Sequence, residues 1–227
     1  MAALKFALIP MAAIMFGALI AGWRSPGEKL VAAMQHLAAG VVFAAAATEI
    51  LPLVKHGGSP TATLIGGALG VAVMLSLKAA ESRFKGPVAL LAAIGLDLAI
   101  DGLVLGLAFI AGEKAGALLA VALTLEVLFL ALTLTNDLAG KYRKAKAIGL
   151  TCALALLLPF GALVAQPVAL LTPVWITGFL SFGLMALLYL VTEELLVEAH
   201  EKPDSPLISA MFFVGFLALL LIEEIMV

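Results

Sequence analysis

The chain has 227 residues, 64% of them apolar and 12% charged, with a mean hydropathy of +1.19. No soluble core of this length needs so much apolar surface, so the expected solvent of the fold is a lipid bilayer. The net charge of -2 and pI near 5.9 give no basis for nucleic-acid binding. The single cysteine, Cys152, excludes a disulfide framework and a cysteine-rich metal site.

In chain order the apolar segments are Leu4–Gly22, Leu30–Val54, Thr61–Ala80, Pro87–Gly112, Lys114–Asn136, Ala145–Ala165, Pro173–Val197 and Pro206–Val227. Each is near the ~20 residues that a bilayer core demands. Leu4–Gly22 has a signal peptide's length, but no small-x-small cleavage site is clear and further apolar segments follow, so it reads as a retained helix. Start signals precede several segments: Ser25-Pro26-Gly27-Glu28, Ser59-Pro60, Thr172-Pro173 and Ser205-Pro206 set a capping hydroxyl before a first-turn proline. The connections are short. The expectation is an all-α integral membrane protein in which residues 1–227 form a single domain of eight transmembrane helices with no appended soluble domain.

Lysine and arginine fix the expected orientation. Arg24, Lys29, Lys78, Arg83, Lys85, Lys141, Arg143, Lys144, Lys146 and Lys202 follow the odd-numbered segments, whereas the other side holds only Lys5, Lys55 and Lys114. The positive-inside rule then places the first set in the cytoplasm and both termini outside it, in the cell membrane. A weak internal echo accompanies this order. Thr48-Glu49-Ile50-Leu51 late in the second segment resembles Thr192-Glu193-Glu194-Leu195 late in the seventh. Those two segments run in opposite directions, as in an inverted repeat of three helices around a central pair.

The informative residues are acids at membrane depth, where an ionisable group costs at least ~2.5–3.5 kcal/mol and marks a functional site by default. Asp97 and Asp101 stand one turn apart on one helix face. Asp97 is about 15 Å into the fourth segment and Glu126 about 18 Å into the fifth, so both lie near the midplane. Like charges so close call for a cation or a proton between them. Thr133 and Asp137 continue the face of Glu126 toward the cytoplasmic end and suit a polar exit path, though Asp137 also fits an ordinary solvated helix end. Glu49 at the outer end of the second segment, and Glu193, Glu194 and Glu198 at the inner end of the seventh, are entry and exit ligands or solvated helix-end acids. His36 reads as a packed or interfacial histidine, and His56 and His200 as helix-end residues. His200 with Glu198, Glu201 and Asp204 can collect cations or simply be a solvated acidic loop. Glu223 and Glu224 are expected at the outer interface. No phosphate-cradling loop, nucleophile–base pair or zinc-protease helix is present, so an enzyme is not expected. An intramembrane aspartyl protease sets its two aspartates on two helices, not one.

The fourth and fifth segments resemble the ZIP (zinc- and iron-regulated transporter-like) family of divalent metal transporters. Asp97-Leu98-Ala99-Ile100-Asp101-Gly102, followed by Gly106, fits the family's fourth-helix His-Asn-x-Pro-acid-Gly frame. Leu125-Glu126-Val127-Leu128-Phe129-Leu130 falls on its fifth-helix motif, with Glu126 as the matching ligand. Gly40 to Pro52 resembles the second helix and Tyr189 to Glu198 the seventh, with Val197 where a proline is usual. Leu98, Leu125 and Phe129 stand at positions where the family often has ligands, and the sixth segment holds no acid.

The resemblance implies a ZIP-like eight-helix bundle with inverted three-helix repeats around helices four and five, and both termini outside. It implies divalent metal transport through one reduced midplane site of Asp97, Asp101 and Glu126, with Glu49 and Glu194 as further metal ligands. The substrate is then a divalent metal ion, with zinc, iron, manganese and magnesium left open; an all-carboxylate site suits the harder cations better. The expected partners are that cation and the lipid bilayer, with a homodimer left open and no nucleic acid. The alternatives are a non-transporting sensor or assembly protein of the same fold, and a proton- or sodium-coupled transporter of a small solute.

Overall fold

With no water at membrane depth to satisfy backbone groups, an apolar chain must close its hydrogen bonds within each segment. The computed structural model describes residues 2–23, 27–83, 86–201 and 205–226, without the side chains of Glu81 and Ser82. Helix dominates these residues and no strand occurs among them. The expected Ser25-Pro26 cap, the cationic residues Arg24, Lys85 and Lys202, Asp204 and the terminal Val227 lie outside the described residues.

Eight helices are long and apolar enough to cross a membrane: α1 (Ala2–Trp23), α2 (Glu28–His56), α3 (Pro60–Ala80), α4 (Pro87–Ala111), α5 (Glu113–Ala139), α6 (Lys144–Leu170), α7 (Pro173–His200) and α8 (Pro206–Ile225). α3, α7 and α8 open on prolines that the sequence marks, and α4 opens on Pro87, which Gly86 precedes; at such a position the missing N–H has no intrahelical partner to lose. Ser205 acts as a cap, its hydroxyl accepting the Ile208 amide at 3.3 Å. Thr172 flanks Pro173 without a side-chain cap bond, and the N-cap of α2 is Gly27.

Four helices depart from regular α geometry among the described residues; in α8 the departure is a single turn residue, Ala210, between Pro206–Ser209 and Met211–Ile225. α6 is α-helical over Lys144–Leu154 and Leu157–Val164 and ends in a 3₁₀ turn, Gln166–Leu170. Its break falls where Pro159 cannot donate to the Ala155 carbonyl. α2 and α7 each contain one π-helical stretch, Ala46–Ile50 and Leu190–Leu195. Each stretch carries one of the two echoing Thr-Glu segments. A π turn admits an extra residue, which re-aims the side chains on it.

α2, α5, α4 and α7 form an inner ring, each in contact with the next and α7 closing back on α2. An outer helix backs each member: α8 on α2, α1 on α5, α6 on α4 and α3 on α7. Lipid tails are as apolar as leucine, so such pairs depend on close packing instead of water exclusion. The α4–α6 contact shows how closely. A methyl at Gly102 would strike the Leu158 carbonyl, and one at Gly161 would strike that of Ala99. Gly40 and Gly215 place α2 and α8 in similar contact, against the carbonyls of Phe212 and Leu37.

Candidate metal centre

Asp97 and Asp101 project from α4 toward Glu126 of α5, the neighbouring member of the inner ring. One carboxylate oxygen from each of the three lies within 4.8 Å of the others. Asp101 is 1% exposed and Glu126 2%, while Asp97 is half-buried. Oδ2 of Asp101 and Oε2 of Glu126 are buried and have no hydrogen-bond partner among the described residues. Buried polar atoms in folded proteins are normally paired, so two orphaned oxygens at one point call for an explanation.

Geometry and charge supply one. Three points no more than 4.8 Å apart lie within about 2.8 Å of a common point, and calcium–oxygen distances run to ~2.6 Å, those of smaller dications to ~2.0–2.2 Å. A contraction of a few tenths of an ångström, within the reach of a carboxylate rotamer, completes such a shell. Fully ionised and unaccompanied, the three groups would repel by about 3 kcal/mol per pair at an effective dielectric of ~20. A divalent cation cancels two of the three charges and gives the converging oxygens a common partner.

The other expected ligands divide. Glu194, on the π turn of α7, is half-buried and lies within electrostatic reach of both Asp101 and Glu126. Its neighbour Glu193 turns outward, with its carboxylate 3.3 Å from Lys78 Nζ of α3. Lys78 also donates to the Glu193 carbonyl at 2.7 Å. Glu49, on the π turn of α2, is buried at 8% exposure but sits outside the three-carboxylate group, beside Glu223 and Lys114. Lys114 and Glu223 form a 3.4 Å ion pair between α5 and α8. Glu223 is therefore no free interfacial acid, whereas Glu224 is exposed, as expected. Leu98 and Phe129 are packed into apolar clusters. Among the described residues the carboxylates thus frame one ion position.

A cavity of about 370 Å³ opens toward the lysine- and arginine-rich end. Its walls carry Glu28, Asp137, Glu198 and Glu201 together with Thr133 and Asn136, and no lysine, arginine or histidine among the described residues. Thr133 and Asp137 thus line a real polar recess. Ile94 and Leu130 also line it, each about one helical turn along the chain from Asp97 and Glu126 respectively. The sequence reading passed over Gln35, whose Nε2 donates to Glu198 Oε2 at 2.6 Å and ties α2 to α7. A carboxamide inside an apolar segment was the signal in the sequence; in the structure it is 3% exposed.

Fold and site together define a polytopic helical membrane protein with a buried carboxylate cluster between two central helices. No known protein family and no curated relative matches this sequence.

Proposed function

We propose that the protein carries divalent metal cations across the membrane through the Asp97–Asp101–Glu126 site. One observation carries the reading: three carboxylate oxygens converge within 4.8 Å inside the helix bundle, two of the residues having an orphaned buried oxygen. Glu194 adds negative charge within electrostatic reach of Asp101 and Glu126, and Glu49 is the acid on the side away from the polar cavity. Ions pass between the Glu49 side and the acidic cavity, and Ile94 and Leu130 part when the site opens toward the cavity. The basic end is cytoplasmic and both termini lie outside, in the cell membrane.

A ZIP-type architecture is supported by the helix pairing. Exchanging α1–α3 for α6–α8 and α4 for α5 turns the α1–α5 pair into α6–α4 and the α2–α8 pair into α7–α3, so the pattern maps onto itself. The two π turns exchange under the same operation. This is the pattern of an inverted repeat with its site at the central pair, a plan suited to alternating access.

The test is ion uptake by sealed proteoliposomes, with Zn²⁺, Fe²⁺, Mn²⁺, Mg²⁺ and Ca²⁺ offered singly and with proton and sodium gradients varied. Uptake of at least one dication that collapses in Asp101→Asn is the expected result. Binding without uptake would favour a sensor. No cation dependence at all would overturn the reading.

A further inference from the structure

The α2–α7 interface brings together two histidines far apart in sequence. The rings of His36 and His200 lie 5.0 Å apart, edge to face at 64°. Each engages the carbonyl one turn back through Nδ1, His36 with Ala32 at 2.9 Å and His200 with Leu196 at 2.6 Å. A carbonyl only accepts, so each Nδ1 carries the proton in the neutral ring and the lone pair is left on Nε2. That tautomer is the one a metal ligand needs, with its other nitrogen held by a carbonyl. His36 is 1% exposed and its Nε2 has no partner among the described residues. Leaving such a nitrogen buried and unpaired is costly.

The spacing suits an ion. Two imidazole nitrogens at ~2.0–2.1 Å from a tetrahedral cation put their ring centres about 5 Å apart. Negative charge is at hand: Glu198, held by Gln35, precedes His200 by two residues, and Glu201 lines both the acidic cavity and the recess around His200. We infer that His36 and His200, with Glu198 beside them, form a second cation site at the cavity end of the α2–α7 interface. It takes a borderline transition-metal dication such as Zn²⁺, Co²⁺, Ni²⁺ or Cu²⁺. Hard ions such as Mg²⁺ and Ca²⁺ prefer oxygen and pass it by. The midplane oxygens alone do not make that distinction. This site stands on its own geometry and survives if the midplane carboxylates prove not to carry ions.

Cu²⁺ added to the untagged, detergent-purified protein is the probe, read by electron paramagnetic resonance. The chain has three histidines, and His56 lies at the far end of α2, about 30 Å from His36 along the helix. A signal with two imidazole nitrogens therefore identifies the His36–His200 pair. The parent should show it, and His200→Ala should lose it with at least a tenfold weaker Cu²⁺ affinity. His200 is exposed, so that variant does not open the core; His36→Ala is the companion if it folds. Asp101→Asn should keep the two-nitrogen signal, which separates this site from the midplane one. Oxygen-only ligation in the parent, or an unchanged spectrum in His200→Ala, would overturn the inference.

Discussion

Asp101→Asn is the most demanding perturbation of the midplane site, because it removes one charge and almost no volume at a position 1% exposed. With the ion at most about 2.8 Å from the carboxylate oxygen, the lost attraction is roughly 12 kcal/mol at an effective dielectric of ~20. Against it stands the state of the ion-free parent: where it escapes the repulsions of Asp101 with Asp97 and Glu126, about 7 kcal/mol together at 4.8 Å, by holding protons, binding must restore them. The net loss of about 5 kcal/mol is an upper bound, since protons compete for the carboxylates in the parent. At 1.4 kcal/mol per decade the expected fall in dication affinity is about 100- to 1,000-fold. The variant also has one fewer acid to hold, charged or protonated, in the ion-free cluster, so its unfolding temperature should match or exceed the parent's. Thermal unfolding with and without added dication reads both effects. The parent should gain stability with ligand as RT ln(1 + [L]/Kd), and the variant should gain almost none at the same concentration. Glu224→Gln, exposed at the end of α8, should behave like the parent. Equal ligand-induced shifts in parent and Asp101→Asn would refute the reasoning.

Three further outcomes are expected. Gly161→Leu should destabilise the protein by several kcal/mol or prevent assembly, because its side chain would drive into the Ala99 carbonyl and part α4 from α6; the unfolding midpoint in detergent measures it. Glu223→Gln should weaken the α5–α8 contact and lower the unfolding midpoint by a few degrees, since Lys114 loses the charge it pairs with; a midpoint equal to that of Glu224→Gln would contradict this. In a Cys152→Ala background, Thr133→Cys should react with a charged, membrane-impermeant thiol reagent from the lysine- and arginine-rich side, and Leu98→Cys, 1% exposed, should not. The same labelling tests the orientation assigned from the basic residues.

Apolar runs of membrane length announce eight helices because the bilayer leaves the backbone no other way to bond, and prolines at four helix starts mark their boundaries locally. Asp97 and Asp101 share a face because helical periodicity alone puts i and i+4 together, so that half of the site was legible in the chain. Tertiary packing decided the rest. Glu126 joins the two aspartates only because α4 and α5 are neighbours in the inner ring, where Gly102 and Gly161 let α6 close against the outside of α4. The adjacent Glu193 and Glu194 read alike in sequence, yet on the π turn one reaches Lys78 and the other faces the cluster. Glu49 and Glu223, placed separately at the same end by sequence, meet across α2 and α8 with Lys114 beside them. His36 finds His200 across the α2–α7 interface, 164 residues along the chain. Periodicity is a local property of the chain, whereas the meeting of side chains from different helices depends on the shape of every interface between them.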